Sequence, residues 1–175
     1  MPCKSDFTTS KLISSGVFGA VHLVCHKDTN QLFAMKKIEK RSLKRSNKPE
    51  WAFLERDILT FSDCPFVVSM FCSFPTKLHP CMVMEYVPGR DCRTLMKYKG
   101  ALPVPLARLY IAEKVLAVEY LHSYGVVHRD LTLENLLITS TGHIKVTDFG
   151  LSKLGIMRPT SDIYEAPTVD ITRVP

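Results

Sequence analysis

An α+β chain of two lobes, strand-rich first and helical after, is predicted from three features of the sequence. Short apolar runs separated by turn residues fill the first half, whereas a three-to-four-residue period takes over from Pro105. Between them Val87-Pro88-Gly89 breaks a strand pattern and marks the expected boundary. The 175 residues suffice for one ordinary domain or two small lobes, and 46% hydrophobic with 23% charged residues is a globular composition. The expected division is a small lobe over 1–87, a partial large lobe over 88–153 and a divergent tail over 154–175.

Phe7 to Lys11 and Ala20 to Cys25 read as strands around the small-residue turn Ser14-Ser15-Gly16-Val17-Phe18-Gly19. Asp28-Thr29-Asn30 turns the chain into a third strand, Gln31 to Ile38. Pro49-Glu50 opens a helix to about Phe61, with Phe53, Ile58 and Leu59 suited to packing and Glu55, Arg56 and Asp57 bringing charge beside them. Val67 to Phe74 and Cys81 to Tyr86 complete five strands. A long helix follows from Pro105-Leu106 to His122, where Leu109, Ala112, Leu116 and Tyr120 recur every three or four residues and Gly125 stops it. Leu136 to Thr139 and His143 to Val146 form a hairpin pattern around Ser140-Thr141-Gly142.

Composition narrows the function classes. The six cysteines are scattered without a CxxC pair, which favours free thiols in a reducing compartment over a zinc knuckle or disulfide scaffold. Lys4 and Asp6 interrupt any early apolar run, and no stretch approaches the length of a membrane span. The net charge of +6 owes much to Lys36, Lys37, Lys40, Arg41, Lys44, Arg45 and Lys48. Without interleaved aromatics that cluster reads as a solvated face, so no nucleic-acid site is expected.

Chemistry concentrates in a few segments. In the first turn Gly16 and Gly19 let backbone N–H groups approach phosphates, with Val21 able to cover a base, although a glycine hairpin needs no ligand. Alternation along Phe33-Ala34-Met35-Lys36 puts Ala34 and Lys36 on one face, where Glu55 could hold the ammonium. In His128-Arg129-Asp130-Leu131-Thr132-Leu133-Glu134-Asn135, Asp130 is the candidate acceptor of a hydroxyl proton. Asn135 and Asp148, the latter in Asp148-Phe149-Gly150, offer the hard oxygens that suit Mg2+.

These runs, with FAMKKI, ERDILTF, CPFVVSMFCSF, CMVMEYV, ALPVPLARLY, EYLHSYGVVHRD, ENLLITSTGHIKVTDFGLSK and the later IYE, resemble the eukaryotic protein kinases over about Phe7 to Glu165. The likeness is to the AGC-type branch and, within it, to the microtubule-associated serine/threonine kinases. It implies a bilobal kinase-like fold with the small lobe complete and the large lobe partly present. It implies ATP and Mg2+ as cofactors, a protein substrate, and a cytoplasmic, cytoskeleton-associated address. By motif, Gly16 and Gly19 are the second and third glycines of the phosphate loop and Ser14 stands where the first would be. Lys36 would meet the phosphates and Glu55 would pair with it. Met84 would guard the back of the adenine pocket, Glu85 to Val87 would supply the hinge backbone, and Val21, Ala34 and Leu137 would sandwich the base. Asp91 would meet the ribose. Leu59, Met70, His128 and Phe149 would stack as a spine.

The chain departs from the family at Thr132-Leu133, where Lys-Pro is usual, and at Arg90, where a second glycine is usual. Threonine supplies neither the charge nor the reach of lysine. After Glu165 the sequence leaves the family pattern and lacks an APE motif, so one apolar face of the long helix is expected to lack its intramolecular cover or to meet a protein partner. Thr160, Ser161 and Thr168 are hydroxyls of that tail. The expectation is therefore an ATP-dependent serine/threonine protein kinase whose activity is weak or absent. The alternatives are a pseudokinase-like nucleotide- or protein-binding fragment, and an incompletely folded product.

Overall fold

The computed structural model describes residues 2–16, 19–38, 50–76 and 79–155, with backbone alone over 50–53. Most of the basic cluster, the tip of the first turn and the tail from 156 onward, with Thr160, Ser161 and Thr168, lie outside them.

Strands β1 (Phe7–Gly16), β2 (Gly19–His26), β3 (Leu32–Ile38), β4 (Met70–Pro75) and β5 (Pro80–Glu85) form one antiparallel sheet in the order β1-β2-β3-β5-β4. Period-two alternation sorts its faces. Phe33 and Met35 of β3 join Phe7, Val24, Cys81 and Val83 in an outer core, where the rings of Phe7 and Phe33 meet edge to face. The opposite face takes Ile38 and Met82, with Lys36 paired in register to Met82 and Ala34 to Met84. Helix α1 (Glu50–Phe61) lies on that second side and contributes Ile58 and Leu59.

The larger core runs through both lobes. Ile58, Leu59, Val67 and Met84 from the first half pack in one cluster with Leu121, Leu136, Ile144, Val146 and Phe149 from the second. The expected strand from Val67 divides: Val67 makes an isolated parallel bridge to Val146, and β4 starts only at Met70.

Helix α2 (Cys92–Lys99) was not foreseen. Asp91 caps it in extended backbone, its Oδ1 accepting from the Thr94 N–H at 2.7 Å, and Gly100 ends it at φ 74°. Helix α3 (Val104–Ser123) matches the expected long helix, and Gly125 follows at φ 70°. Its buried stripe is Tyr110, Glu113, Ala117 and Leu121, while Leu109 and Leu116 of the spaced set are 41% and 47% exposed. Both stripes have helical spacing, so period alone could not choose, and the inner one contains a glutamate.

After α3 come β6 (Val126–Val127), a 3-10 turn over Leu133–Asn135, the hairpin β7 (Leu136–Ile138) with β8 (Ile144–Val146), and β9 (Lys153–Leu154), which pairs with β6. The result is the bilobal α+β arrangement expected from the sequence. No helix of the described residues is long and apolar enough to cross a membrane.

Candidate functional site

Lys36 is carried inward by β3, and its side chain is 9% exposed. A bare ammonium there would be costly, so partners must compensate it. Nζ donates to Glu55 Oε1 at 2.6 Å and to Asp148 Oδ1 at 2.9 Å, which joins β3, α1 and the segment after β8. Burial alone would lower the Lys36 pKa, but the two carboxylates outweigh it and leave the group above its ordinary value. Glu55, 1% exposed in its side chain, is raised, because burial outweighs the attraction of Lys36. Its Oε2 has no hydrogen-bond partner among the described residues. Burial also acts to raise Asp148, yet Lys36 wins and holds it below the usual carboxylate range.

The loop containing Asp130 is built from nearby contacts. Arg129 adopts φ 67°, and its Nε donates to the Leu151 carbonyl at 2.6 Å. His128 is buried against Phe149, ring centroids 4.9 Å apart. Its Nδ1 accepts the Asp130 N–H at 3.2 Å, which assigns the proton to Nε2 and lets Nε2 donate to the Thr147 carbonyl at 3.1 Å. Asn135 Nδ2 donates to the Asp130 carbonyl at 2.8 Å and to Asp130 Oδ2 at 3.0 Å. Among the described residues Asp130 has no ion-pair partner, and Thr132 is exposed.

Asp148 leaves β8 at φ 62°, a left-handed conformation uncommon for a residue with a Cβ and frequent at functional sites. The Thr147 N–H donates to the Asn135 carbonyl at 3.0 Å, so the backbone sets the two candidate metal ligands on adjoining segments. Asn135 spends its side-chain NH2 on Asp130 and leaves its side-chain oxygen, Oδ1, for a cation. Asp148, engaged through Oδ1, is 44% exposed. One amide oxygen and one carboxylate fit a Mg2+ that keeps waters and phosphate oxygens. No cluster of three or more His, Cys, Asp or Glu among the described residues forms an all-protein metal cage.

The remaining expected residues fall along the sheet and the crossing between lobes. Val21 pairs in register with Lys36, Ala34 with Met84, and Leu137 makes an isolated bridge with Asp91. Met84 and Val87 are buried. Gly19, at φ 140°, packs so closely that a Cβ would meet the Lys37 carbonyl oxygen at 2.1 Å; at Gly16 a Cβ would enter open space. Gly19 is therefore required by the sheet itself, and Gly16 leaves room at the turn. Ser14, in β1, is exposed. Asp91 has both oxygens engaged by Thr94, the backbone N–H and the hydroxyl each at 2.7 Å, so a ribose contact would share a helix cap.

Two supporting carboxylates escaped the sequence reading. Glu85 was read only for its hinge backbone, yet its side chain meets Ser69 and Lys145. Glu113, buried on α3, accepts the Ile144 N–H at 2.8 Å and bonds His143 Nδ1, gripping the β7–β8 hairpin. The available signal was a glutamate three residues from Tyr110 and four from Ala117, on an otherwise apolar stripe.

A five-stranded sheet with one helix, a short crossing to a helical region, and a lysine–glutamate–aspartate contact between them define a bilobal kinase-like domain. The chain belongs to the protein kinase domain family, whose model matches residues 7–170. It is 45% identical over 172 residues to a probable serine/threonine-protein kinase, pkgA, of Dictyostelium discoideum, covering 97% of this chain and 13% of that protein. It is 49% identical over 158 residues to a probable serine/threonine protein kinase, IREH1, of Arabidopsis thaliana, covering 90% and 12%. Against the serine/threonine-protein kinase greatwall of Xenopus tropicalis the identity is 39% over 181 residues, covering 99% and 20%. The chain thus spans a small part of the length of these relatives. Membership of the family implies use of ATP and Mg2+ in general terms.

Proposed function

We propose that this chain is an ATP- and Mg2+-dependent serine/threonine protein kinase domain of the AGC type, akin to the microtubule-associated serine/threonine kinases. The observation that carries this reading is the convergence of Lys36 on Glu55 and Asp148, beside the Asp130–Asn135 pair. Lys36, held by Glu55, would offset charge on the nucleotide phosphates. Gly16 and Gly19, with Ser14, would bring backbone N–H groups to the same phosphates. Val21, Ala34 and Leu137 would enclose the base, Met84 would close its rear wall, and Glu85 to Val87 would present hinge backbone to its edge. Asp91 would reach the ribose. Asn135 and Asp148 would hold Mg2+, which when bound supplies charge compensation for the phosphoryl group. Asp130 would orient the substrate hydroxyl and take its proton as the oxygen attacks the terminal phosphorus and ADP departs. A cytoplasmic, cytoskeletal address rests on the resemblance alone.

The test is transfer of radiolabelled γ-phosphate to a serine/threonine protein substrate by the purified chain, with Asp130→Asn as control. Signal abolished by the substitution supports the reading; no transfer above that control rejects catalysis by this chain.

A pseudokinase-like binding role is the second reading. It is favoured by Thr132 in place of a lysine and by Leu109, Ile111, Val115 and Leu116, which are exposed along α3 among the described residues. Calorimetry with Mg2+ and ATP, together with co-purification, separates this reading from the first: ligand or partner binding without transfer supports it.

A further inference from the structure

Glu85 is the last residue of β5, at the point where the chain crosses from the sheet toward the helical region. One oxygen of its carboxylate carries three contacts: Oε1 accepts from the Ser69 N–H and the Ser69 hydroxyl, each at 2.8 Å, and from Lys145 Nζ at 2.7 Å. The Glu85 N–H returns a bond to the Ser69 carbonyl at 3.1 Å. Lys145 belongs to β8 of the other lobe and also reaches the Val67 carbonyl at 3.4 Å. Backbone bonds already lay this connection on β8, from the Val146 N–H to Phe66 at 2.8 Å and from the Val68 N–H to Val146 at 3.0 Å. The side chains therefore close a ring through β5, the connection before β4, and β8.

The position of the ring matters more than its existence. Three residues beyond Lys145, and past the end of β8, Asp148 meets Lys36 on β3 at 2.9 Å, so the segment 145–148 has one fastening at the crossing and another at the candidate phosphate end. Only Val146 and Thr147 separate the two fastenings, so a displacement at one is carried to the other through two residues of backbone. The Lys145 and Glu85 side chains are 17% and 33% exposed, sheltered enough for the pair to exceed an ordinary surface ion pair. Burial acts to raise the Glu85 carboxyl, but hydrogen bonds from Lys145 and Ser69 bring it below its usual value, as expected for an acceptor kept ionised.

We propose that Lys145, Glu85 and Ser69 form an interlobe clasp that couples the base end of the cleft to its metal end, with Lys145 as a positioning residue. The coupling to ligands rests on the nucleotide-site reading above; the clasp itself does not. A salt bridge that merely stabilises the fold would lower stability without changing how the two ends communicate.

Two measurements on the whole chain test it. In unliganded protein, amide hydrogen exchange is followed in Lys145→Met, Glu85→Gln and the double variant. The clasp requires Lys145→Met, a change in β8, to speed exchange at Ser69 and across 84–87, with the double variant no worse than the stronger single. Acceleration confined to 143–148, or an additive double variant, overturns the proposal. Nucleotide affinity is then measured with and without Mg2+. Lys145→Met is expected to shrink the gain from Mg2+ by about threefold to tenfold while adenosine affinity stays nearly constant. Lys145→Arg should restore that gain, and Lys153→Met, which removes an exposed lysine of the same lobe, should leave it intact. Equal loss in the Lys145→Met and Lys153→Met variants overturns the coupling. If the unaltered chain binds no nucleotide, the site reading fails, while the exchange experiment still decides the clasp.

Discussion

The two ends of the cleft are built in opposite ways. At one end Lys36 is buried and its partners come from far along the chain, Glu55 on α1 and Asp148 beyond β8. At the other, Asp130 is held by Asn135, five positions away, and by His128, two positions away. The buried end thus depends on tertiary packing and on charges that shelter one another from water. The Asp130 end depends on local loop geometry, and among the described residues it has no cation paired to the aspartate. Substitutions at the first should damage fold and ligand binding together, whereas substitutions at the second should change rate.

The largest expected effect is at the buried end. Lys36→Met leaves Glu55 without its compensating charge, and breaking a buried pair on one side costs about 3–5 kcal/mol. Glu55 is already raised by burial, and losing the lysine raises it further. An acid whose folded pKa lies above its unfolded value binds more protons when folded, so the variant should regain stability as pH falls toward that range. Urea unfolding at several pH values checks this, and Lys36→Met with Glu55→Leu should recover much of the loss. A pH-independent loss would mean that packing, and not the stranded carboxylate, dominates.

At the Asp130 end, Thr132→Lys should act on rate with little effect on stability. A charge-assisted hydrogen bond of about 1.5–3 kcal/mol corresponds to roughly tenfold to hundredfold in the transfer step. The check is single-turnover transfer beside nucleotide affinity: a gain in rate at constant affinity keeps the two ends separate. A parallel gain in affinity would merge them.

That asymmetry also explains what could be read from the sequence. Lys36 was legible because strand alternation fixes the face of a side chain, and Ala34 and Lys36 do share one. Asp130, Asn135 and Asp148 stand in short ordered runs whose chemistry is local. The long helix was legible in period and its inward face was not, because Leu109–Leu116 and Tyr110–Ala117 have equal spacing and only packing separates them. Helix α2 escaped because it is short and polar, and because Asp91, its cap, was read as a ligand. Glu113 and Lys145 depend on which hairpin reaches which helix or hinge, and no local pattern carries that. Glu113→Gln measures this kind of residue. It keeps an acceptor for the Ile144 N–H but removes the charge facing His143, for an expected cost of about 1–2 kcal/mol by urea unfolding. Loss of no stability would show the grip to be dispensable.

The smallest effect comes from pH and bears most directly on the difference between the two ends. His128 lies below its ordinary 6.5, because burial outweighs the Thr147 carbonyl and the nearby carboxylates of Asp148 and Asp130. A histidine depressed in the folded state binds its proton more readily when unfolded, so its contribution is present above about pH 6.5 and is lost as pH falls through the folded value. The limiting slope for one proton is about 1.4 kcal/mol per pH unit. Protonation would place a second N–H at Nδ1, against the Asp130 N–H that this atom now accepts, so the Asp130 loop should loosen with it. Asp148 is held below its ordinary carboxylate value of 3.8, because Lys36 outweighs burial, so its bond to Lys36 should survive until pH falls below that figure. Between about pH 6.5 and 4, then, amide exchange around 128–135 should rise while exchange around Lys36, still paired to Asp148, stays slow. His128→Phe should flatten the pH dependence of stability in that window. Simultaneous loosening of both ends would mean that the cleft opens as one unit and that the local end has no separate equilibrium.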